Sequence, residues 1–187
     1  MKNFNVDSLL YSDQSNQKFE NCSVCGETIN NKTFIIEKAY KRNYIDNELI
    51  TVFELAVCDD CRLQMNEDIS KESKENIQEF VTEKTNFIED HFDEAVQTLK
   101  NYQNEARCMI TGKLIADCDE FQVVLIHQKS GFNPKIPMFV SDEAIELYQE
   151  LLSNHTKGFF DDFMDNLHDV PPGLEDLLNP KKSPVFL

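Results

Sequence analysis

Six cysteines are the residues best placed to do chemistry in this chain, and four of them fall into two C-x-x-C pairs, Cys22-Ser23-Val24-Cys25 and Cys58-Asp59-Asp60-Cys61. Thirty-two residues separate the pairs. Four thiolates from two such pairs can converge on one tetrahedral ion, with zinc–sulfur distances of about 2.3 Å and no coordination position left for water or substrate. The chemistry to expect is therefore structural: one Zn2+ held by Cys22, Cys25, Cys58 and Cys61, with binding energy serving as folding energy. Gly26, directly after the second cysteine, permits the positive φ that turns backbone amides toward the sulfurs.

The flanking sequence must position those ligands. Residues 33–40 and 48–57 read as two strands rich in Val, Ile, Phe and Tyr, with turn residues over 43–47 between them. The second strand runs into Cys58, and a helix is expected to start there. Acidic Asp59 and Asp60 in its first turn suit the positive end of the helix dipole. They would also raise the pKa of a neighbouring free thiol. The order of knuckle, hairpin and two ligands at a helix start resembles the treble-clef class of zinc finger over residues 20–70. A zinc ribbon is the close alternative, and the helix expected after Cys61 favours the treble clef.

Downstream the pattern repeats. Cys108-Met109-Ile110-Thr111-Gly112 lies over Cys22–Gly26 with an offset of 86, and Met138–Ala144 lies over Leu55–Cys61 with an offset of 83. The four ligand positions of the second unit are then Cys108, Thr111, Ser141 and Ala144, which cannot hold zinc. Ser141 becomes a helix N-cap instead, and the repeat is expected to be metal-free. Cys118 has no counterpart in the first unit and reads as a buried thiol.

The expected fold class is α+β: two treble-clef-like β-hairpin/helix units, the second without zinc, joined by a long amphipathic helix and followed by a helical C-terminal tail. Residues 1–20 form a polar N-terminal arm, frayed apart from one helical turn docked on the body. Residues 21–72 form the zinc-binding unit with its four cysteine ligands. Residues 73–105 form the connecting helix, whose apolar positions run from Ile77 to Tyr102 at three-and-four spacing. Residues 106–157 form the degenerate repeat, with a helix over 141–153. Gly158 opens an acidic, Phe/Leu-rich tail over 158–187, which either closes the core or docks into a partner's groove.

Composition bounds the function. Thirty-four acidic against 18 basic residues give a net charge of −16, a surface that repels phosphate backbones and anionic lipid. No apolar run approaches the roughly 20 residues of a membrane span, and the N-terminus lacks the apolar region of a signal peptide. The expected location is the cytoplasm, where paired cysteines hold metal or do redox chemistry rather than form stable disulfides. No Gly-rich phosphate loop, G-x-S-x-G elbow or H-E-x-x-H stands in the sequence, so no catalytic residue and no other cofactor is expected. The first reading is a non-enzymatic, zinc-stabilised protein-interaction, adaptor or regulatory module. Its partner would be another protein, met through the 158–187 tail, with oligomeric state open. A redox-sensing zinc switch or chaperone-like protein is the alternative. Third comes a His-Asn-His-type metal-dependent nuclease using His127, Asn133 and His155. His91 and His168 read as structural and exposed, respectively.

Overall fold

A computed structural model of the chain describes Phe4 and residues 6–84, 106–129 and 137–166. They form a mixed α/β structure around a four-stranded antiparallel sheet of order β2-β1-β3-β4. The strands are β1 (Phe34–Arg42), β2 (Leu49–Cys58), β3 (Glu120–His127) and β4 (Met138–Ser141). The helices are α1 (Val6–Leu9), α2 (Asp59–Asp68), α3 (71–84, to the edge of the described residues), α4 (Asp142–Leu151) and α5 (Asn154–Asn166). The rest of the expected connecting helix, 85–105, lies outside the described residues, as do His91, His168, Asn133 and the tail beyond 166.

Strand β1 is buried from Phe34 to Tyr40 on both faces, because it sits between β2 and β3 and the sheet is covered above and below. Residues directly opposite across an antiparallel pair share a face. Tyr40 therefore lies beside Phe121, and Lys38 lies beside Val123 and Glu54. The N-terminal segment covers this face. The Phe4 ring meets Tyr40, Phe121 and Phe139 edge-on, with centroids 5.3–5.8 Å away. Such pairs add to simple area burial. The opposite face carries buried Glu37. Burial first, and the Glu37 carboxylate second, push the Tyr148 phenol of α4 above its ordinary range.

The N-terminal segment is tied down more firmly than a frayed arm would be. Residues 12–17 make a closed turn, with Ser12 N–H donating to Gln17 C=O at 2.7 Å and Asn16 at φ 54°. The Glu54 carboxylate accepts from the Ser12 hydroxyl and from the amides of Asp13 and Gln14 at 2.7 and 3.2 Å. Lys38 is fully buried, 3.1 Å from Asp13 and 3.3 Å from Glu54, and it donates to the Tyr11 carbonyl. Tyr40 and Thr51 hydroxyls both donate to Asp13 Oδ2 at 2.9 Å.

Two helix starts meet in a cluster of hydroxyls. Ser70 caps α3 by accepting from Ser73 N–H, and Ser153 caps α5 by accepting from Thr156 N–H. The two caps cross over: Ser70 N–H donates to Thr156 Oγ1 at 3.0 Å, and Ser153 N–H donates to Ser73 Oγ at 2.8 Å. The chain break before α5 is thus at Leu152–Ser153, and Gly158 lies inside the helix rather than at a boundary. A helix interior tolerates one glycine at a cost of about 1 kcal/mol, whereas Ser153 supplies an N-cap worth as much. Phe160 and Met164 of α5 are buried in the core, so this part of the tail is spent on packing.

Candidate metal centre

The first cysteine pair stands on a hairpin-like knuckle. Cys22 N–H donates to Glu27 C=O at 2.8 Å and Gly26 N–H donates to Cys22 C=O at 2.9 Å. Gly26 takes φ +72°, the left-handed conformation that a side chain would strain. The knuckle is bolted to the end of β2: Ser23 N–H donates to Ala56 C=O at 2.7 Å, and Ala56 N–H donates to Ser23 Oγ at 3.0 Å. Strand β2 then delivers Cys58 as its last residue, and α2 starts at Asp59. Cys61 falls in the first turn of α2 and points back to the same place.

All four sulfurs lie within 4.8 Å of one another, and Cys25 Sγ is 3.9 Å from Cys58 Sγ. Ligands at about 2.3 Å in a tetrahedron are about 3.8 Å apart, so the spacing fits one shared ion. Backbone amides already point at the cluster: Val24 N–H and Cys58 N–H each donate to Cys22 Sγ at 3.4 Å. Burial raises the Cys22 thiol, but hydrogen bonds from the backbones of Cys25, Cys58 and Val24 outweigh it and hold its pKa below the ordinary value. Burial pushes the Cys58 and Cys61 thiols up, a cost that a bound cation removes because it favours the thiolate. The Asp59 carboxylate is turned to Arg62 at 2.7 Å. Cys25 is exposed, while Cys22, Cys58 and Cys61 are buried. These four residues could bind one metal ion, and the thiolate set suits zinc.

Among the described residues no other group of three or more His, Cys, Asp and Glu is gathered closely enough to hold an ion. Of the second set of positions only Cys108 is a thiol. Thr111 Oγ1 and Ser141 Oγ are 3.0 Å apart, and Ser141 Oγ also accepts from Ala144 N–H at 3.3 Å as the N-cap of α4. Cys108 and Ala144 are both buried. Cys118 is buried near the start of α4: its thiol reaches the Leu114 carbonyl, and burial followed by the Asp142 carboxylate pushes its pKa to about 11. His127 stacks on Phe34 with centroids 4.6 Å apart, and His155 is exposed at the start of α5.

What the sequence reading missed is the Glu54 clamp. Only the turn that it holds carried a signal: Ser12-x-x-Ser15-Asn16 has the spacing of Cys22-x-x-Cys25-Gly26 ten residues earlier. Asn is the residue that best replaces Gly at positive φ, and Asn47 does the same at the β1–β2 turn.

No family model matches the chain, and comparison with curated proteins and with solved structures finds no match. No helix among the described residues is long and apolar enough to cross a membrane.

Proposed function

We propose that Cys22, Cys25, Cys58 and Cys61 hold one structural zinc ion, and that the chain is a non-enzymatic, zinc-stabilised module that binds another protein. The observation that carries this reading is the complete sulfur set: four ligands within 4.8 Å leave no open coordination position at which a substrate could be activated. When bound, the ion supplies a crosslink between the knuckle, the end of β2 and the start of α2. The residues around it do the rest. The amides of Val24 and Cys58 stabilise the Cys22 sulfur, and Ser23 fixes the knuckle to Ala56. The knuckle, hairpin and helix then form a treble-clef-like unit, and residues 106–157 form its metal-free counterpart.

The partner surface is acidic. A net charge of −16 favours a basic protein face and opposes nucleic acid and anionic lipid, and a cytoplasmic setting keeps the thiols reduced for metal. Because α5 spends Phe160 and Met164 on the core, a tail contact with a partner would fall to residues 167–187. Capture with the full chain, with a chain ending at 166 and with a Cys25→Ser/Cys61→Ser variant tests this. The same prey should bind the full chain, weaken without 167–187 and be lost from the zinc-free variant. Prey retained equally by all three baits would refute the reading. Exposure of Cys25 supports a second reading, a zinc switch opened by oxidants. Peroxide would then release zinc and abolish capture, and zinc retained under peroxide would exclude it.

A further inference from the structure

The turn over 108–113 repeats the backbone hydrogen bonds of the 22–27 knuckle. Cys108 N–H donates to Lys113 C=O at 2.8 Å and Gly112 N–H donates to Cys108 C=O at 2.9 Å, the same two bonds and the same two lengths as in 22–27. Gly112 takes φ +71° against +72° for Gly26. Ile110 N–H donates to Cys108 Sγ at 3.4 Å, as Val24 N–H does to Cys22 Sγ. Met109 N–H donates to Phe139 C=O on β4 at 3.0 Å, as Ser23 N–H does to Ala56 on β2. Strand pairing repeats as well: Phe121↔Ser141 through Val124↔Met138 reproduces Phe34↔Cys58 through Glu37↔Leu55.

The two copies also meet as the halves of a two-fold dimer would. Taking Phe121 as the counterpart of Phe34, the β1–β3 register pairs Phe34 with His127 and Tyr40 with Phe121, so each residue faces the counterpart of its own partner. The pseudo-dyad passes through Glu37 and Val124, which are counterparts and pair with each other. It passes again through the hydroxyl cluster, where Ser70 and Ser73 correspond to Ser153 and Thr156 and the cross-bonds are reciprocal. That reciprocity is the signature of an isologous interface, here between two parts of one chain.

We infer that Cys108, Thr111, Ser141 and Ala144 are the vacated ligand positions of a second tetrahedral zinc site, whose crosslink has been taken over by the Thr111–Ser141 hydrogen bond. Thr111 and Ser141 stand where Cys25 and Cys58 stand in the first unit. Two thiols 3.9 Å apart make only a weak contact, which a shared ion would replace. Two hydroxyls 3.0 Å apart join directly. The turn is therefore still pinned to the β4–α4 junction, with no metal, and its backbone keeps a shape suited to a soft divalent ion.

This inference rests on the zinc reading of the first cluster, and the test separates the two. The full chain carrying Thr111→Cys, Ser141→Cys and Ala144→Cys is compared with wild type for bound zinc and for the thiolate-to-cobalt absorption of the Co2+ form. The expected result is a rise from one ion per chain to two, with cobalt absorption doubled. A folded variant that binds no more metal than wild type overturns the inference, whereas a wild type that binds none overturns the zinc reading instead. Loss of the Ser141 cap could unfold the variant, so wild type is also followed by hydrogen exchange under a chelator. The amides of Ser23 and Gly26 should exchange at least tenfold faster, and those of Met109 and Gly112 should change less than twofold. Equal acceleration in both turns would overturn the inference independently of the variant.

Discussion

Replacing Lys38 by Met removes a buried cation from between two carboxylates, and the structure sets the size of the effect. The Lys38 side chain is wholly buried and sits 3.1 Å from Asp13 and 3.3 Å from Glu54, whose own side chains are 18% and 6% exposed. Methionine is close in volume, and in the inferred repeat the counterpart of this position is the buried Leu125. The loss is therefore electrostatic. Asp13 and Glu54 would face each other without a counterion, and breaking a buried pair by removing one partner costs about 3–5 kcal/mol. For a chain of this length that is a fall in Tm of roughly 6–20 °C, at about 2–4 °C per kcal/mol. Urea unfolding with saturating zinc measures it, followed at probes on both halves of the sheet. The double variant Lys38→Met/Glu54→Gln should recover on the order of 1–3 kcal/mol, because one of the stranded carboxylates is then neutral. Deuterium uptake over residues 6–19 should rise in the single variant, since the Glu54 clamp on the 12–17 turn loses its support. A Lys38→Met chain within about 1 kcal/mol of wild type would refute the view that this buried network fastens the N-terminal segment to the sheet.

Other outcomes follow from particular contacts. Gly26→Ala meets nothing within 4 Å, so its cost is purely the left-handed backbone, about 1–2 kcal/mol; zinc content should stay unchanged, and loss of the metal would contradict this. Ser153→Ala removes the α5 cap and its bonds to Ser70 and Thr156, for about 2 kcal/mol by chemical denaturation; a neutral effect would show that the hydroxyl cluster does not tie the starts of α3 and α5 together. For Asp142, burial alone would raise the carboxyl pKa, but the Lys113 ammonium and the Glu143 amide outweigh it and hold the value low. Its contribution is thus present above the unfolded carboxyl pKa and is lost as pH falls through the folded one. Asp142→Asn should flatten stability below about pH 4 by up to about 1 kcal/mol, the pair being partly exposed, and an unchanged acid limb would contradict the assignment.

Local signals made the cysteine cluster legible. The cysteine spacing, Gly26, the β-branched run from Thr33 to Tyr40 and the acidic start of α2 each state a local preference, and the four sulfurs do gather. The β1–β2 hairpin was readable for the same reason, because alternation and turn residues are encoded within a few positions. Pairing of β1 with β3 was not, since it joins residues far apart in the chain and depends on which apolar faces find each other. Nor was the Glu54 clamp. Polar residues 12–17 look like a loop until a distant carboxylate supplies the acceptor. The break at Ser153 rather than Gly158 shows a cap outweighing a propensity: side-chain acceptors decide where α5 starts, and the sequence pattern of the Ser70 and Ser153 caps becomes visible only once the two helix ends are seen to meet.

Metal content and ligand sphere of the purified wild-type chain test the central claim most directly. Elemental analysis should give one zinc per chain, and X-ray absorption at the zinc edge should show four sulfurs at about 2.3 Å, both lost in Cys25→Ser/Cys61→Ser. A folded wild-type chain that carries no zinc, or a zinc with oxygen or nitrogen in its first coordination sphere, would contradict the account.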